Sequence, residues 1–317
     1  MRSRTVRRSR SFVGQSIVIT GGSRGLGLEM ARRWASEGAR ITICGRSEES
    51  LRRAVERLKR FGGDAMGVVC DVRRREQVET FVETVVREFG GIDVLVNNAG
   101  VIQAGPIECM TLDDFETAMA THFWGPLYMI RAALPYLTAS RRAGIVNIAS
   151  IGGEISVPHL VPYSASKFAL VALSDGLAAE LRQFGIRVTT VCPGLMRTGS
   201  HRNALFKGRH RAEFAWFSIS DSLPVISMNS TRAAHQIIEA CRNGRPHVRL
   251  TLPAKLAVPL VAAAPSLAIT VFRMVNRLLP SPIRPSPLAH TGAQSASLLS
   301  PSILTTLSDS AAVRNNE

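Results

Sequence analysis

Short apolar runs rich in β-branched residues alternate with amphipathic helical stretches along most of the chain, and this alternation limits the possible folds more than any other feature. Parallel strands need right-handed crossover connections, and every gap between these runs up to Cys192 is long enough to hold a helix. The sequence therefore predicts an α/β fold with a doubly wound parallel sheet. The predicted strands cover residues 16–20, 40–44, 65–70, 93–97, 144–150, 186–192 and 247–252.

A glycine-rich run, TGGSRGLG, begins at Thr20 directly after the first predicted strand, and a helix is predicted to follow it. Glycine lets the backbone turn tightly and approach a diphosphate, whose charge is met by backbone N–H groups and the positive end of the helix. An ordinary strand-to-helix turn is the alternative, but the strand and helix on either side favour a dinucleotide site of the Rossmann type. The residues assigned to this site are Gly21, Ser23, Arg24, Gly25, Leu26 and Gly27.

The end of the second predicted strand bears on the choice of cofactor. Sites for NAD usually place a carboxylate there to bind the ribose 2′-hydroxyl, but this strand ends in Cys44, Gly45 and Arg46. Arg24 and Arg46 could instead form charge-assisted hydrogen bonds to a 2′-phosphate, although each alone could be a solvated surface residue. Their joint placement without an acid predicts that NADPH is preferred over NADH.

Tyr163 and Lys167 lie four residues apart near the start of a helix predicted over residues 162–184, so both side chains project from one face. Ser150 closes the preceding predicted strand. Carbonyl reduction needs a proton donor at the oxygen, and a tyrosine with an unperturbed pKa of ~10 needs help to exchange its proton near neutrality. A lysine charge favours the phenolate, and a serine hydroxyl can hydrogen-bond the substrate oxygen. This spacing is common on helices, so the assignment depends on its place after the nucleotide motif and the serine.

With these motifs in this order, residues 15–252 resemble the short-chain dehydrogenase/reductase family, in its branch of standard length. Further matching motifs are Asp71 after the third strand, Asn97-Asn98-Ala99-Gly100 after the fourth and Cys192-Pro193-Gly194 after the sixth. The resemblance implies a single Rossmann-type domain that interconverts a carbonyl and a secondary alcohol on a small or moderately apolar substrate, with NADP(H) as cofactor given the two arginines. It also implies a homo-oligomer that pairs through helices within residues 112–137 and 162–184.

The resemblance assigns further cofactor contacts residue by residue. It implies that Asp71 and Val72 contact the adenine, and that Lys167 holds the nicotinamide ribose as well as tuning Tyr163. The remaining implied contacts are Asn98, Ala99 and Gly100 at the adenosine ribose and Pro193, Gly194, Leu195 and Thr198 at the nicotinamide carboxamide. Asn97 is expected to brace the central strands.

His122 departs from the family pattern, because it stands where the family usually has an asparagine in the sequence N-x-x-G. In the family that asparagine helps to hold a water leading to the lysine and so completes a proton relay. A neutral imidazole can hold the same water or titrate itself. His122 is therefore a candidate catalytic residue, with a histidine at a helix kink as the alternative.

Residues 196–224 occupy the position of the mobile substrate lid in this family, and they are both basic and aromatic. Their arginines and lysine would suit an acidic substrate, whereas their phenylalanines and tryptophan would cover an apolar one. The aromatic residues could also anchor the lid to the body of the protein, and an exposed amphipathic helix is a further alternative. We favour the apolar substrate.

The formal net charge of +15 is the unusual feature of the composition. It would attract phosphates, anionic lipid headgroups or acidic substrates without distinguishing among them. A basic nucleic-acid-binding protein is thus one alternative function, but no recognised readout motif accompanies the charge, and we expect no nucleic acid partner. A cofactor sensor or scaffold that has lost efficient chemistry is another alternative, against which the intact Ser150, Tyr163 and Lys167 argue.

Five scattered cysteines without a C-x-x-C pair or metal-ligand spacing indicate a reducing compartment and predict no metal site. Those that end predicted strands are expected to serve as small hydrophobic side chains. Because no apolar signal segment with a cleavage site follows the arginine-rich start, we expect a cytoplasmic protein in which this start is a short solvated tail. An organelle-targeting segment or a contact with a membrane surface is the alternative for these residues.

The predicted organisation is a basic tail over residues 1–14, the catalytic domain over 15–252, an apolar and amphipathic extension over 253–280 and a disordered tail over 281–317. Pro259 and Pro265 interrupt the apolar run of the extension, which argues against a membrane-spanning helix. From Ser266 onward the sequence predicts an amphipathic helix with a basic polar side. Its apolar face would either lie on an anionic membrane surface or pack on the protein itself or a partner subunit.

Overall fold

The computed structural model describes residues 11–223, 227–281, 285–297, 300 and 305–316. The seven strands of the main sheet are β1 (Ser16–Thr20), β2 (Arg40–Gly45), β3 (Ala65–Val69), β4 (Val94–Asn97), β6 (Gly144–Ile148), β7 (Arg187–Cys192) and β11 (His247–Arg249). Shorter strands are β5 (Gln103–Ala104), β8 (Met196–Arg197), β9 (Leu205–Phe206), β10 (Met228–Asn229) and β12 (His290–Thr291).

The main sheet has the strand order β11-β7-β6-β4-β1-β2-β3, and each strand is parallel to its neighbours. This order confirms the predicted doubly wound, Rossmann-type sheet. The chain runs outward from β1 through β2 to β3 and then returns to the other side of β1 for β4. Ligands of such sheets bind at this switch point, in the crevice beyond the carboxyl ends of the strands.

Helices cover both faces of the sheet. The helices are α1 (Gly25–Ser36), α2 (Glu48–Lys59), α3 (Arg75–Phe89), α4 (Leu112–Met119), α5 (Gly125–Ala139), α6 (Val161–Glu180), α7 (His210–Ser222), α8 (Ser230–Asn243), α9 (Leu252–Ala263), α10 (Pro265–Leu278) and α11 (Thr306–Arg314). A π-helical turn over Ala120–Trp124 joins α4 to α5. α1, α2 and α8 pack on one face, and α3, α5 and part of α6 pack on the other.

The central strand β1 shows why this sequence forms a buried parallel sheet. All five of its residues are buried, which is the continuous apolar pattern of a strand covered on both faces. Ile17 and Ile19 belong to the core under α1 and α8, while Val18 between them belongs to the core on the opposite face. Because strand side chains alternate in direction, one short run supplies both layers.

Two predicted strands end earlier in the structure because a side chain after each of them caps the next helical turn. Ser150 follows β6 and accepts a hydrogen bond from Gly152 N at 3.0 Å. Thr251 follows β11 and accepts one from Ala254 N at 3.4 Å, which starts α9. The helix predicted over residues 162–184 is α6 followed by a 3₁₀ turn over Leu181–Phe184, which ends at Gly185 with φ 75°. These capping contacts divide runs that look continuous in the sequence.

The predicted amphipathic helix of the extension is confirmed as α10. It lies beside α9, which packs beside β11, and none of its residues is buried. Leu267 and Met274 on its apolar face are 65% and 61% exposed. Thus the described part of the chain leaves this face open instead of packing it on the domain. No helix of the described residues combines the length and hydropathy that a bilayer crossing requires.

The structure differs from the expected disordered tail in the parts of residues 281–317 that it describes. β12 pairs antiparallel with β9, and α11 packs against α7 and β8. The buried residues of α11 are small: Ser308, Ala311 and Ala312. The helix can therefore approach its neighbours closely, but it lacks the stripe of large apolar residues from which a packed helix is predicted. Of the predicted basic tail, residues 1–10 lie outside the described residues.

Candidate active site

A cavity of about 760 Å³ lies at the carboxyl ends of the central strands. The predicted site residues that line it are Gly21, Ser23, Arg24, Gly25, Leu26, Arg46, Asp71, Val72, Asn98, Ala99, Gly100, His122, Ser150, Tyr163, Lys167, Pro193, Gly194 and Thr198. Gly27 and Leu195 stand outside this lining. The fold thus brings together residues that are up to about half the chain apart in sequence.

The glycine-rich loop packs directly against the segment that follows β4. Gly21 adopts φ +62°, and a Cβ there would lie 2.9 Å from Ala99 Cα. The Asn98 side chain donates from Nδ2 to Thr20 O at 2.9 Å and Gly21 O at 3.1 Å. A Cβ at Gly27 would lie 2.4 Å from Gly21 O. The absence of a side chain at Gly27 therefore lets the loop carbonyl and the Asn98 side chain pack closely against α1. Gly25 and Leu26, at the N-terminus of α1, line the cavity.

The edge of the cavity beside β2 is rich in positive charge. Arg46 lies there, together with Arg73, which the sequence analysis did not single out. Arg73 binds Asp71 through two guanidinium nitrogens, at 3.0 Å from Nε and 2.6 Å from Nη2. The hydrogen bond from Arg73 lowers the pKa of Asp71. Asp71 is the one acidic residue among the described residues that line the cavity, so the ionised carboxylate is already neutralised by its neighbour.

Ser150, Tyr163 and Lys167 meet on the opposite side of the cavity. The side chains of Ser150 and Tyr163 are hydrogen-bonded, which lowers the pKa of Tyr163, but burial has the larger effect and raises it to about 12. Lys167 donates from Nζ to Ile148 O at 2.8 Å, and its Nζ lies 5.8 Å from the centre of the Tyr163 ring. Burial lowers the pKa of Lys167 to about 7. Without a cofactor, burial therefore controls both groups and keeps Tyr163 protonated.

The imidazole of His122 is fully buried and has a protein partner at each nitrogen. Nε2 accepts a hydrogen bond from Val101 N at 3.1 Å, so the proton of the neutral ring lies on Nδ1. Nδ1 is 2.7 Å from Ser166 Oγ, which in turn donates to Tyr163 O at 2.9 Å. Burial and the charge of Lys167 hold the pKa of His122 well below its ordinary value. These contacts, at a π-helical turn, favour the alternative of a histidine at a helix kink.

The three phenylalanines of the lid segment pack on one another away from the cavity lining, whereas Trp216 is 48% exposed. Phe206 is fully buried, with its ring centre 5.5 Å from that of Phe214 and 5.8 Å from that of Phe217. Lys207 is buried in an ion pair with Asp114 at 2.5 Å. These contacts favour the alternative in which the phenylalanines anchor the lid to the body of the protein over the favoured interpretation, in which they cover an apolar substrate. The lid side of the cavity is instead lined by Ser200, Asn203, Ala204 and Leu205.

Asp221, near the end of α7, is a buried acid for which the sequence analysis proposed no role. It is 4% exposed, and burial raises the pKa of its carboxyl to about 8. Its charge, when present, raises the pKa of Tyr163 further. The sequence around Asp221 is a mixture of polar and aromatic residues and does not indicate that this carboxyl is buried. Its burial depends on how α7 packs against the rest of the protein.

A cluster of Glu154, Cys192 and His247 brings three metal-ligand types within 4.8 Å of one another. Arg249 binds the same carboxylate at 2.5 Å, and His247 Nε2 lies 3.2 Å from it. Hydrogen bonds from His247 and Arg249 outweigh burial and lower the pKa of Glu154 to about 2. Burial raises the pKa of the Cys192 thiol. The cluster therefore holds an internal ion pair beside a protonated thiol.

Comparison with known proteins identifies the family to which the chain belongs. The family model described as short chain dehydrogenase matches residues 15–207. The chain is 39% identical over 183 residues to "Granaticin polyketide synthase putative ketoacyl reductase 1" of Streptomyces violaceoruber. This alignment covers 57% of this chain and 67% of that protein. It is 33% identical over 268 residues to dehydrogenase/reductase SDR family member 7B of Bos taurus, covering 82% of this chain and 81% of that protein.

Solved structures show the same fold. A short-chain dehydrogenase/reductase from Burkholderia phymatum in complex with NAD superposes with a TM-score of 0.74 at 28% identity, covering 81% of this chain and 96% of that one. A variant of actinorhodin polyketide ketoreductase with NADPH superposes with a TM-score of 0.68 at 31% identity, covering 76% and 97%. The glycine cradle and the serine, tyrosine and lysine therefore lie in a shared fold, and the chain belongs to the short-chain dehydrogenase/reductase family of oxidoreductases.

Proposed function

We propose that this oxidoreductase uses NADP(H) to interconvert a carbonyl and a secondary alcohol on a small or moderately apolar substrate. The observation that carries the proposal is that Ser150, Tyr163 and Lys167 line the same cavity as the glycine-rich loop. A proton donor and a dinucleotide cradle in one cavity are the two parts that carbonyl reduction needs.

The cavity residues fit a dinucleotide. Gly25 and Leu26, the first residues of α1, line the cavity beside Gly21, whose positive φ keeps the loop close to the Ala99 backbone. Backbone N–H groups at a helix start suit a diphosphate. A bound nicotinamide cofactor would supply or accept the hydride at the substrate carbon. Under this proposal Asp71 and Val72 border the adenine, and Thr198 borders the carboxamide.

Tyr163 is the proposed acid and base. Its pKa of about 12 in the buried site keeps the phenol protonated, as reduction of a carbonyl requires at the start of the reaction. Ser150, hydrogen-bonded to it, would hold the substrate oxygen within reach of the phenol proton. As the proton leaves, the positive charge of Lys167 stabilises the phenolate.

Lys167 has two proposed tasks, charge and position. Its hydrogen bond to Ile148 O fixes the ammonium at the end of β6. Burial brings its pKa to about 7, so an anionic partner is needed to keep it fully charged at neutral pH. Formation of the Tyr163 phenolate supplies such a partner. In addition, Lys167 would hold the nicotinamide ribose.

The proposed preference for NADPH rests on the charge around β2. Arg24, Arg46 and Arg73 line the cavity there, and Asp71 is already bound by Arg73. The structural relatives include one protein in complex with NAD and one with NADPH, so the choice for this chain depends on its own residues. A 2′-phosphate would gain charge-assisted hydrogen bonds from the arginines.

The proposed substrate class follows from the chemistry and the lining of the cavity. The granaticin relative is a ketoacyl reductase by name and the actinorhodin relative a ketoreductase, which supports a carbonyl substrate here. Ile102, Ala204 and Leu205 offer apolar surface in the cavity that Tyr163 also lines, and Gln103 and Asn203 add polar groups to it. This mixture supports a substrate of moderate polarity over a strongly acidic one.

The Tyr163→Phe variant tests the mechanism, with Tyr136→Phe on α5 as a matched control. We expect NADPH oxidation across a panel of carbonyl compounds to fall at least about 100-fold for Tyr163→Phe and to be unchanged for the control. Undiminished turnover by Tyr163→Phe with any accepted substrate would contradict the mechanism. Tight NADPH binding without turnover by the parent would favour the sensor or scaffold alternative. Salt-sensitive DNA binding that competes with NADPH would favour the nucleic-acid alternative.

We also propose a homo-oligomer that pairs through the helical segments within residues 112–137 and 162–184, as the resemblance implies; these segments are α4, the π-helical turn and α5, and then α6 with the turn that follows it. Large apolar side chains on this surface are exposed in the single chain: Trp124 at 45% and Phe168 at 42%. Light scattering of the purified protein tests this proposal. We expect a mass of two or four chains for the parent and a shift toward one chain for Phe168→Asp.

An anionic membrane surface is a further proposed partner, which would bind the pair of helices α9 and α10. The supporting observation is the open apolar face of α10, which continues over exposed leucines of α9 such as Leu256 and Leu260. Between Glu239 and Asp309 the sequence contains no acidic residue. Arg273 and Arg277 lie on α10 itself. Apolar residues flanked by cations match the headgroup region of an anionic bilayer.

Vesicle sedimentation tests the membrane proposal, with phosphatidylglycerol vesicles compared with phosphatidylcholine vesicles. We expect the parent to sediment with the anionic vesicles at low salt and to be released at high salt. The double variant Leu267→Asp/Met274→Asp should remain in the supernatant with both kinds of vesicle. The control Val13→Asp changes an exposed apolar residue outside α9 and α10 and should sediment as the parent does. A parent that stays in the supernatant at low salt contradicts the proposal. A loss of oligomer mass in the double variant would assign the face to a second copy of the chain.

A further inference from the structure

The last described residues of the chain lie on the glycine-rich loop. Asn315 O accepts a hydrogen bond from Gly25 N at 2.9 Å, and the side chain of Asn316 donates from Nδ2 to Ser23 O at 2.9 Å. Ser23 and Gly25 line the cavity, on the loop that would receive the cofactor diphosphate. The chain thus contacts its own proposed cofactor site from a position almost 300 residues away in sequence.

The same segment also reaches the opposite wall of the cavity. Asn315 donates from Nδ2 to Thr198 O at 2.9 Å and to Ser230 Oγ at 3.3 Å. Its side chain and backbone together are 1% exposed. Asn315 therefore bridges the loop after β1 and the segment after β7, which are the two sides between which a dinucleotide would lie.

α11 fixes this position by close packing. A Cβ at Gly199 would lie 2.4 Å from Ala312 Cα, so Ala312 fits against a residue without a side chain. Ala312 is fully buried. Asp309 lies 3.6 Å from both His201 Nε2 and an Arg202 nitrogen. These contacts show that α11 is docked in a specific place beside the lid segment.

Gly25 N–H is the first N–H group of α1, where the helix dipole favours an anion. A carbonyl oxygen and a phosphate oxygen compete for one such donor, and an anion beside the carbonyl oxygen would be repelled. We propose that residues 305–316 form a strap that competes with the cofactor diphosphate for Gly25, so that the strap must leave Gly25 before the cofactor binds. This inference rests on the proposed use of a dinucleotide cofactor.

Competition of this kind lowers the apparent affinity for the cofactor by the fraction of molecules in which the strap is released. Weakening the strap should therefore tighten cofactor binding. Asn315→Ala removes the two side-chain hydrogen bonds to Thr198 and Ser230, and Ala312→Leu introduces a side chain that cannot fit against Gly199. Val313→Ala is the matched control on α11, since Val313 is 71% exposed.

The experiment measures the NADPH dissociation constant of the full chain and these variants by nucleotide fluorescence. We expect the constant to fall about three- to tenfold in Asn315→Ala, as two hydrogen bonds would account for. Ala312→Leu should fall similarly, and Val313→Ala should match the parent. Unchanged or weaker binding in both strap variants would overturn the proposal.

Hydrogen exchange of residues 305–316 gives a second readout on the parent protein. We expect exchange in this segment to rise when NADPH is added, because the strap is released. A fall in exchange would show that the segment closes over the bound cofactor, which overturns competition. If no form of the chain binds NADPH, the proposed function fails and the competition fails with it. Binding that is equal in all forms overturns the strap alone.

Discussion

His122 Nδ1 lies 2.7 Å from Ser166 Oγ and so joins the π-helical turn to α6, the helix that carries Tyr163 and Lys167. The other ring nitrogen accepts from Val101 N, beyond the end of β4. The neutral ring therefore connects three separate segments around the proposed catalytic residues. A protonated ring could no longer accept the hydrogen bond from Val101.

The pH dependence of stability tests this role of His122. Its pKa in the folded chain lies well below the ordinary 6.5, so below that pH the unfolded chain binds a proton that the folded chain does not. The stabilising contribution is therefore present above pH 6.5 and is lost as the pH falls. Between pH 8 and pH 5.5 the unfolding free energy of His122→Asn should therefore fall by about 1.4 kcal/mol less than that of the parent.

Urea unfolding at the two pH values measures this difference. His235→Asn, at an exposed position of α8, is the control and should show the parent's pH dependence. An unaltered pH dependence in His122→Asn would contradict the buried, neutral histidine. A loss of turnover in His122→Asn without a change in this dependence would support the relay role instead.

Lys167→Met should stabilise the folded chain at neutral pH while abolishing turnover. The folded pKa of about 7 lies below the ordinary 10.5, so between these values the unfolded chain binds more protons, and the unfolding free energy of the parent rises with pH. Replacing Lys167 by Met removes the free energy that the parent loses at neutral pH by burying this amine. Without cofactor, the variant should have a higher Tm than the parent at pH 7, with a gap that narrows toward pH 10.

Thermal unfolding at pH 7 and pH 10 checks this expectation. Lys59→Met, at the exposed end of α2, is the control and should leave Tm and its pH dependence close to those of the parent. A lower Tm for Lys167→Met at both pH values would show that the hydrogen bond to Ile148 outweighs the burial of the charge.

Arg24→Ala/Arg46→Ala should lose the preference for NADPH over NADH. Charge-assisted hydrogen bonds to a phosphate typically contribute about 1.5–3 kcal/mol, which corresponds to roughly tenfold or more in the ratio of dissociation constants. Both constants are measured at one fixed salt concentration. Arg52→Ala/Arg53→Ala on the exposed face of α2 removes the same charge away from the cavity. A preference that survives in the first double variant, or equal constants in the parent, would contradict the assignment.

Gly27→Ala should weaken NADPH binding through the shape of the loop. The added Cβ would meet Gly21 O at 2.4 Å and Asn98 Nδ2 at 2.5 Å, so the loop must move. Overpacking of this kind typically destabilises by about 1–3 kcal/mol. Calorimetric titration with NADPH and urea unfolding measure the two effects.

Gly91→Ala provides the control, because this glycine lies outside the helices and a Cβ there meets nothing within 4 Å. It should leave NADPH binding unchanged and change the unfolding free energy by less than about 0.5 kcal/mol. Unimpaired binding by Gly27→Ala would show that the cradle accommodates the cofactor without close approach of the loop to Asn98.

The sheet and the proposed catalytic residues could be predicted because their signals are local. The β-branched run of β1 is buried on both faces, as its composition indicated. Tyr163 and Lys167 are one helical turn apart, so any helix places them on one face. The glycine motif likewise requires only its own turn and the strand and helix beside it. Such features depend on neighbouring residues, and a short window of sequence contains all of them.

Tertiary structure decided the features that depend on distant partners. The ring of His122 is held by Val101 and Ser166, and Asn315 reaches Gly25 because α11 docks against Gly199. In the described residues the apolar face of α10 stays open, although its sequence pattern would equally suit a buried helix. Hydrophobic periodicity shows which face of a helix is apolar, but what covers that face depends on segments far away in the chain. Contact between such segments arises only when the whole chain packs.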